Sequence, residues 1–313
     1  MMNERTQIAF KLILVHMVLP AGLISAFFFI SNDAYLLFCI AQTYLFILFL
    51  SGYWEFFGNL FKMLFFSFCE LILFFLLVNK WLISSNSHFN FFFVCILALV
   101  QAYLIVALAK IMITIFKTEK ISLEIVFPLR NGKYLITDGG NSKISRLMNY
   151  HFYSHLHRKN KTNNSMLFAT DIVKIDRNKK RFLPAYNEEY PIFGEKLYAP
   201  MEGTIIKTEN KIDDNTPFIG TYPYNTGNTV VIKNDNYYFL LGHLKKGSII
   251  VSNGNRVKAG ELIGQIGNSG YSERPHLHMQ LIKSNSENYW LGQGLCIRYK
   301  VRNLYKNRLI KIT

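Results

Sequence analysis

The chain has 313 residues, half of them hydrophobic, with 35 Lys and Arg against 20 Asp and Glu and a formal net charge of +15. These averages hide two unlike parts: residues 1–119 are rich in Phe, Leu and Ile with six basic and five acidic residues, whereas 120–313 carry a net charge of +14. Cys39, Cys69 and Cys95 fall in apolar stretches and only Cys296 lies in the polar part, which excludes a disulfide framework or a Cys-x-x-Cys metal motif there.

Four apolar stretches come first, at about 12–30, 34–54, 63–83 and 91–116. Each approaches the roughly 20 residues that a helix needs to cross a hydrocarbon core. Polar breaks at 31–33, 52–62 and 84–88 separate them, and Tyr53, Trp54 and Trp81 sit near their ends, where amphipathic rings favour the membrane interface. The first stretch is too long and lacks the small-residue cleavage site of a removable signal peptide. Glu70, Gln42, Gln101 and His16 lie inside the spans, where such groups hydrogen-bond between helices and help a bundle associate.

Four crossings place the N-terminus and the polar part on one side. Arg5, Lys11, Lys62, Lys110, Lys117 and Lys120 then share that side, and Lys80 falls on the other. The positive-inside rule would put the polar part in the cytoplasm. Three crossings, with one stretch lying in the interface, would put it outside. The motifs below favour the outside.

A short charged joint at 117–122 leads into β-like patterning. Strands are expected at 124–129, 132–137, 166–173, 203–207, 229–233, 237–241 and 276–282, punctuated by Gly and Asn turns and with no long amphipathic helix. The expected architecture is an all-α transmembrane bundle over 1–119 and an all-β domain of antiparallel sheets, an open barrel or sandwich, over 120–313. Segment 254–264 has the look of a biotinyl or lipoyl carrier hairpin. It lacks a Lys-Met pair, so its role is read as architectural.

Three short motifs carry chemistry: Ala169-Thr170-Asp171, Gly242-His243-Leu244, and Pro275-His276-Leu277-His278 behind the turn Gly267-Asn268-Ser269-Gly270. Residues i and i+2 of a strand share a face, so His276 and His278 on one strand would project into one site. A buried Asp between Phe168 and Ile172-Val173 is costly unless paired; a metal bond or a structural salt bridge would each satisfy it. A lone His on an apolar strand is more often structural than functional, and His151 taken alone falls under that rule.

In this order the residues resemble the lysostaphin-type zinc metallopeptidases, cell-wall endopeptidases also called LytM-like. The resemblance runs from about Glu124 to the C-terminus. It is most specific from Leu241 through Val257, Gly260, Gly264 and the 267–270 turn to Pro275-His276-Leu277-His278, and Tyr198-Ala199-Pro200-Met201-Glu202-Gly203 is similar to the entry hairpin. It implies one zinc ion held by a His, an Asp and the second His of His-x-His, which are His151, Asp171 and His278 here. Typical members space the first His and the Asp four apart, whereas Asn149-Tyr150-His151 precedes Asp171 by twenty positions, with His155 and His157 as a rival pair. His243 and His276 take the catalytic roles beside the metal.

The implied activity is hydrolysis of peptide cross-links in bacterial peptidoglycan by a membrane-anchored zinc metalloendopeptidase facing outward. A non-catalytic wall-binding or hydrolase-activating module, or a cytoplasmic-facing protease or toxin component, are the alternatives. The implied partners are peptidoglycan peptides and the lipid bilayer. The +14 charge suits a polyanionic wall, though an AT-rich genome would also enrich Lys and Asn. Nucleic acid is not expected, since no recognition motif accompanies the charge.

Overall fold

The computed structural model describes residues 4–29, 34–82, 91–117, 122–151, 164–175, 182–223 and 225–313. The chain divides into two compact units, Thr6–Ile113 and Thr114–Thr313. The expected breaks at 31–33 and 84–88, most of the 117–122 joint, and the rival ligands His155 and His157 lie outside the described residues.

The first unit is helical: α1 Glu4–Ile13, a π-helical turn Leu14–Val18, α2 Leu19–Phe29, α3 Ala34–Ser51, α4 Trp54–Phe57, α5 Asn59–Leu82 and α6 Phe91–Phe116. Among the described residues three helical segments are long and apolar enough to cross a membrane: Glu4–Phe27, Asn59–Asn79 and Val94–Phe116. The stretch expected over 34–54 folds as a shorter apolar helix, Tyr35–Ser51. It stops at Ser51, and Gly52 and Tyr53 turn the chain into α4. Phe27, Leu45 and Leu73 form the buried seam, while Leu71, Phe74 and Phe75 of α5 are exposed. A surface of that kind is unfavourable in water.

Gln42, Glu70, Gln101 and His16 hydrogen-bond within the helical unit, as expected, though Gln101 Oε1 has no partner among the described residues. Gln42 Nε2 donates to Glu70 Oε2 at 2.7 Å and Gln101 Nε2 to Thr43 Oγ1 at 2.9 Å. His16 is fully buried in the π turn. Its Nε2 accepts from the Tyr53 backbone N–H at 2.9 Å, so its Nδ1 donates to the Leu12 carbonyl.

The second unit is β-rich, as its patterning requires. Its strands are β1 Ser122–Glu124, β2 Gly132–Asp138, β3 Thr170–Ile175, β4 Lys196–Tyr198, β5 Gly203–Glu209, β6 Asn228–Asn234, β7 Tyr237–Leu244, β8 Arg256–Val257, β9 Leu262–Gln265, β10 Leu277–Lys283, β11 Gln293–Tyr299, β12 Arg302–Asn303 and β13 Leu309–Ile312. The main sheet runs β13-β2-β3-β10-β7-β6-β5-β8, with β1, β11 and β12 joined to it through β10; β4 and β9 form a separate pair. All pairings are antiparallel except β1 with β11.

The sheet is buried on both faces. Leu277, Met279 and Leu281 of β10 join the main core with Ile136, Ile172, Val230, Ile232, Phe239 and Leu241. Ile282 packs on the opposite face with Val231, Tyr238, Leu240 and Tyr289. Period-two alternation assigns His278 and Gln280 to that second face. The chain thus sets polar side chains against a rigid, fully packed slab.

Two expected strands are shorter than their patterning. In 124–129, Ile125, Phe127 and Leu129 do alternate into the core, but pairing ends at Glu124. Pro128 has no N–H to extend a ladder. In 166–173, residues Asn164–Met166 form a short 3-10 turn and the strand begins at Thr170.

Candidate metal centre

The site forms where β3, β10 and β7 lie side by side. In the ladder His278 of β10 faces Asp171 of β3 on one side and Gly242 of β7 on the other. Gly242 leaves room for the imidazole: a Cβ there would sit 3.6 Å from His278 Cδ2 and 3.0 Å from the Thr226 carbonyl. His276 stands one residue before β10, which begins at Leu277. The expectation that both histidines lie on the strand is corrected for His276, while their convergence on one site holds.

His243 reaches the same site through a change of face on β7. Phe239 and Leu241 point into the main core, and strict alternation would send residue 243 there too. Instead Leu244 joins that core. The β6–β7 register is irregular between Asn228 and Val230, and His243 has φ +60°. A left-handed non-glycine residue costs on the order of 1–3 kcal/mol and is sustained only when its surroundings fix it. Here the His243 N–H donates to the Thr226 carbonyl at 2.8 Å, its carbonyl accepts from the Gly267 N–H at 3.0 Å, and its Nδ1 donates to the Ser269 carbonyl at 2.8 Å.

That last carbonyl belongs to the 267–270 turn, which is locked in place. Ser269 Oγ donates to the Leu244 carbonyl and accepts from the Asn228 N–H, at 2.7 and 2.9 Å. Gly270 has φ +74°, and a Cβ on it would meet the Gly227 nitrogen at 2.2 Å. The Ser269 hydroxyl is therefore committed to architecture rather than to attack on a substrate.

Asp171 is the hub. Its Oδ1 is 2.9 Å from His278 Nδ1, and its Oδ2 is 3.3 Å from His151 Nε2 and 3.5 Å from His276 Nε2. Ring centroids of His151 and His278 are 4.8 Å apart, and those of His243 and His276 are 4.7 Å apart. His151 is brought in by a turn anchored on Asn149 and by the Tyr150 N–H, which donates to Asp138 Oδ1 at 3.2 Å. All five residues expected at the site thus come together. Sequence reading missed the neighbours that hold the imidazoles: Asn149 Oδ1 against His151 Nδ1 at 2.8 Å, Gln280 Oε1 against His278 Nε2 at 3.2 Å, and the Arg274 carbonyl accepting from His276 Nδ1 at 2.8 Å. The position of Gln280, two residues beyond His278 on the same strand face, is the signal that could have found it.

One ligand atom each from His151, Asp171 and His278 lies within 4.8 Å of the others, and among the described residues these form the one group that could hold a metal ion. Two imidazole nitrogens and a carboxylate fit the donor chemistry of a catalytic zinc site, in which three protein ligands leave the fourth position to water.

Electrostatics divide the site into two halves. Burial disfavours charge on His151, but Asp171 and, more weakly, Asp138 outweigh it and raise its pKa above the ordinary histidine value. Burial likewise opposes ionisation of Asp171, yet His151 and His276 with two imidazole hydrogen bonds hold it well below the usual carboxylate range. His243 is driven well below the ordinary value by burial and by His276 and His278; burial also lowers His276, against the pull of Asp171.

These directions predict a pH signature in zinc-free protein. The Asp171 contribution to stability is present above its unfolded pKa of about 3.9 and is lost as pH falls through its depressed folded value. The His151 contribution is present below about 6.5 and is lost as pH rises through its elevated folded value. His243 and His276 are buried neutral, so they destabilise the fold as pH falls below about 6.5. With a chelator present, thermal stability of the β unit should decline as pH rises above that value. The increment given by added zinc should grow over the same range, because its ligands must be deprotonated. Melting curves with and without zinc between pH 6 and 8 check this; an increment that shrinks with pH would contradict it.

Residues 190–289 match the model of peptidase family M23. That interval holds His243, His276 and His278, and the geometry adds His151 and Asp171 from outside it. Among curated proteins, the peptidoglycan DD-endopeptidase ShyA of Vibrio cholerae is 33% identical over 104 residues, 33% of this chain and 21% of ShyA. Endolysin 2638A of Staphylococcus phage 2638A is 38% identical over 89 residues, 26% of this chain and 18% of the endolysin. The match thus spans about a fifth of the length of these relatives. Among solved structures, the catalytic domain of lysostaphin from Staphylococcus simulans aligns with 22% identity and a TM-score of 0.28, over 44% of this chain and 77% of that domain.

Proposed function

Because the chain carries a peptidase family M23 domain, we propose that it is a membrane-anchored zinc metalloendopeptidase that hydrolyses peptide cross-links of bacterial peptidoglycan. The carrying observation is the convergence of His151, Asp171 and His278 from three separate segments, with His243 and His276 packed beside them. In this reading residues 1–119 are the membrane region and 120–313 the peptidase domain.

His151 Nε2, the Asp171 carboxylate and His278 Nδ1 would hold the ion. When bound, zinc supplies Lewis acidity and brings the pKa of water down towards about 7. His243 is the proton acceptor. Its Nδ1–H is engaged by Ser269, which leaves Nε2 as the basic nitrogen, and burial keeps the ring neutral at neutral pH. A neutral imidazole can take a proton from the attacking water and return it to the leaving amine. His276 packs beside His243, ring centroids 4.7 Å apart, with Nδ1 held by the Arg274 carbonyl; once it takes up a second proton, on Nε2, it would donate to the developing oxyanion.

The surroundings suit this reading. The +14 charge of residues 120–313 favours accumulation on an anionic wall. The exposed apolar residues of α5 call for a lipid environment. Three crossings put the two ends of the helical region on opposite faces of the membrane, so a cytoplasmic N-terminus leaves the β unit outside.

The test uses the full chain in detergent micelles with isolated peptidoglycan sacculi. With zinc it should release new amino groups; a chelator should stop release and zinc should restore it. A folded, zinc-loaded protein that releases none would retire the peptidase reading in favour of a wall-binding module.

A further inference from the structure

Building on the zinc reading above, we propose that Asn149 and Gln280 are positioning residues that fix the two ligand histidines in opposite tautomers, so that His151 offers Nε2 and His278 offers Nδ1 to the metal.

The Asn149 amide can take one orientation. Its Nδ2 donates to the carbonyls of Gly140 at 2.7 Å and Ala169 at 2.8 Å. Its Oδ1 must then face His151, where it accepts from the backbone N–H at 3.1 Å and from Nδ1 at 2.8 Å. With the proton held on Nδ1, the lone pair of a neutral His151 is on Nε2. That nitrogen is the one directed at Asp171 Oδ2, 3.3 Å away.

Gln280 treats His278 in the reverse sense. It is fully buried on the second face of β10. Its Oε1 lies 3.2 Å from His278 Nε2, and His278 Nδ1 lies 2.9 Å from Asp171 Oδ1. A proton on Nε2 donated to Gln280 leaves the Nδ1 lone pair for the ion. The Gln280 Nε2 has no hydrogen-bond partner among the described residues. Burying an unsatisfied amide nitrogen weakens a fold, and an apolar side chain of similar size would avoid it. The contribution of this glutamine therefore lies in its oxygen. Groups that hold the second nitrogen of a ligand histidine set its tautomer and ring angle, and their loss lowers metal affinity about 10–100-fold.

The pairing has a geometric reason. Asp171 and His278 are direct cross-strand partners on β3 and β10, so the near ring nitrogen, Nδ1, is the one within reach of the shared centre. His151 arrives from the turn after β2 and reaches the same carboxylate with its far nitrogen, Nε2. Two different tautomers are needed, and two carboxamides impose them, one two residues before its histidine and the other two residues after.

The experiment measures zinc affinity of the full chain in detergent by competition with a chromophoric chelator, alongside its thermal melt without metal. Gln280→Leu should melt no lower than wild type and bind zinc about 10–100-fold more weakly. Gln280→Glu, which keeps the acceptor oxygen, should restore affinity to within a few-fold. Asn149→Ala should also weaken zinc, but it loses the bonds to Gly140 and Ala169 as well, so Gln280 carries the decision. Equal affinity of wild type and Gln280→Leu overturns the positioning role. Failure of wild type itself to bind zinc overturns the metal reading on which it rests.

Discussion

Replacing Asp171 by Asn should abolish zinc binding and reduce cross-link hydrolysis to background. One carboxylate serves His278 through Oδ1 and both His151 and His276 through Oδ2. An amide of the same shape keeps one acceptor and replaces the other with a donor, which meets an imidazole nitrogen that the metal needs as a lone pair. The anionic ligand is lost together with the arrangement of its neighbours. A Lewis acid supplies several kcal/mol of transition-state stabilisation, and each 1.36 kcal/mol is tenfold, so the loss in rate should reach about 10³-fold or more. In wild type, zinc at a thousand times its dissociation constant should stabilise the fold by about 4 kcal/mol; the variant should gain nothing. Metal analysis, melting curves and amino-group release measure the three effects. An Asp171→Asn protein that still carries one zinc and digests sacculi at the wild-type rate would remove the basis for the assignment.

Replacing His243 by Ala should separate binding from chemistry. His243 supplies no atom to the three-residue donor group; its ring stands edge-on to that of His278, centroids 5.5 Å apart, and it is held by Ser269, Thr226 and Gly267. Zinc content should stay at the wild-type level. The proton acceptor is gone, and general acid–base groups contribute about 10²–10⁴-fold, so turnover should fall within that range with little change in KM. Releasing a left-handed residue to alanine does not remove the backbone strain, so the melting temperature should move little. Loss of zinc in this variant would mean that His243 belongs to the metal-holding set, and the division of roles would need redrawing.

Much of the β unit was legible because its strands are short apolar runs that end at Gly or Asn turns. The strands at 132–138, 203–209, 228–234, 237–244 and 277–283 lie within a few residues of where those runs put them. β11, Gln293–Tyr299, and β13, Leu309–Ile312, were not seen. Gly294 and Arg298 break the pattern of the first, and the second has only the pair Leu309-Ile310 and the single Ile312 around Lys311. β11 pairs with β1 as well as with the preceding β10, and β13 pairs with β2; β1 and β2 are distant in sequence, and local propensity carries no trace of that.

The site was legible to the same depth. His276, Leu277 and His278 announce themselves by spacing, and Gly242-His243 by its place before the 267–270 turn. The change of face at His243 was not visible, since a non-glycine residue with positive φ leaves no mark in composition. His151 was weak in the sequence because a ligand twenty residues from Asp171 has no spacing rule. What joins the two is the Asn149 amide bridging the carbonyls of Gly140 and Ala169, a contact between the ends of two segments that only the folded chain brings together.

The strand order has a practical consequence for anyone isolating the β unit. The recognisable stretch, 190–289, contains β10 but leaves out its sheet neighbours β3 and β11, and β2 beyond β3. A fragment trimmed to that stretch would keep three of the site's histidines, discard its carboxylate, and bare β10 along 277–279 and 281–283. Unpaired strand edges recruit other chains, so such a fragment would be both inert and prone to aggregate, and the cut belongs upstream of β2.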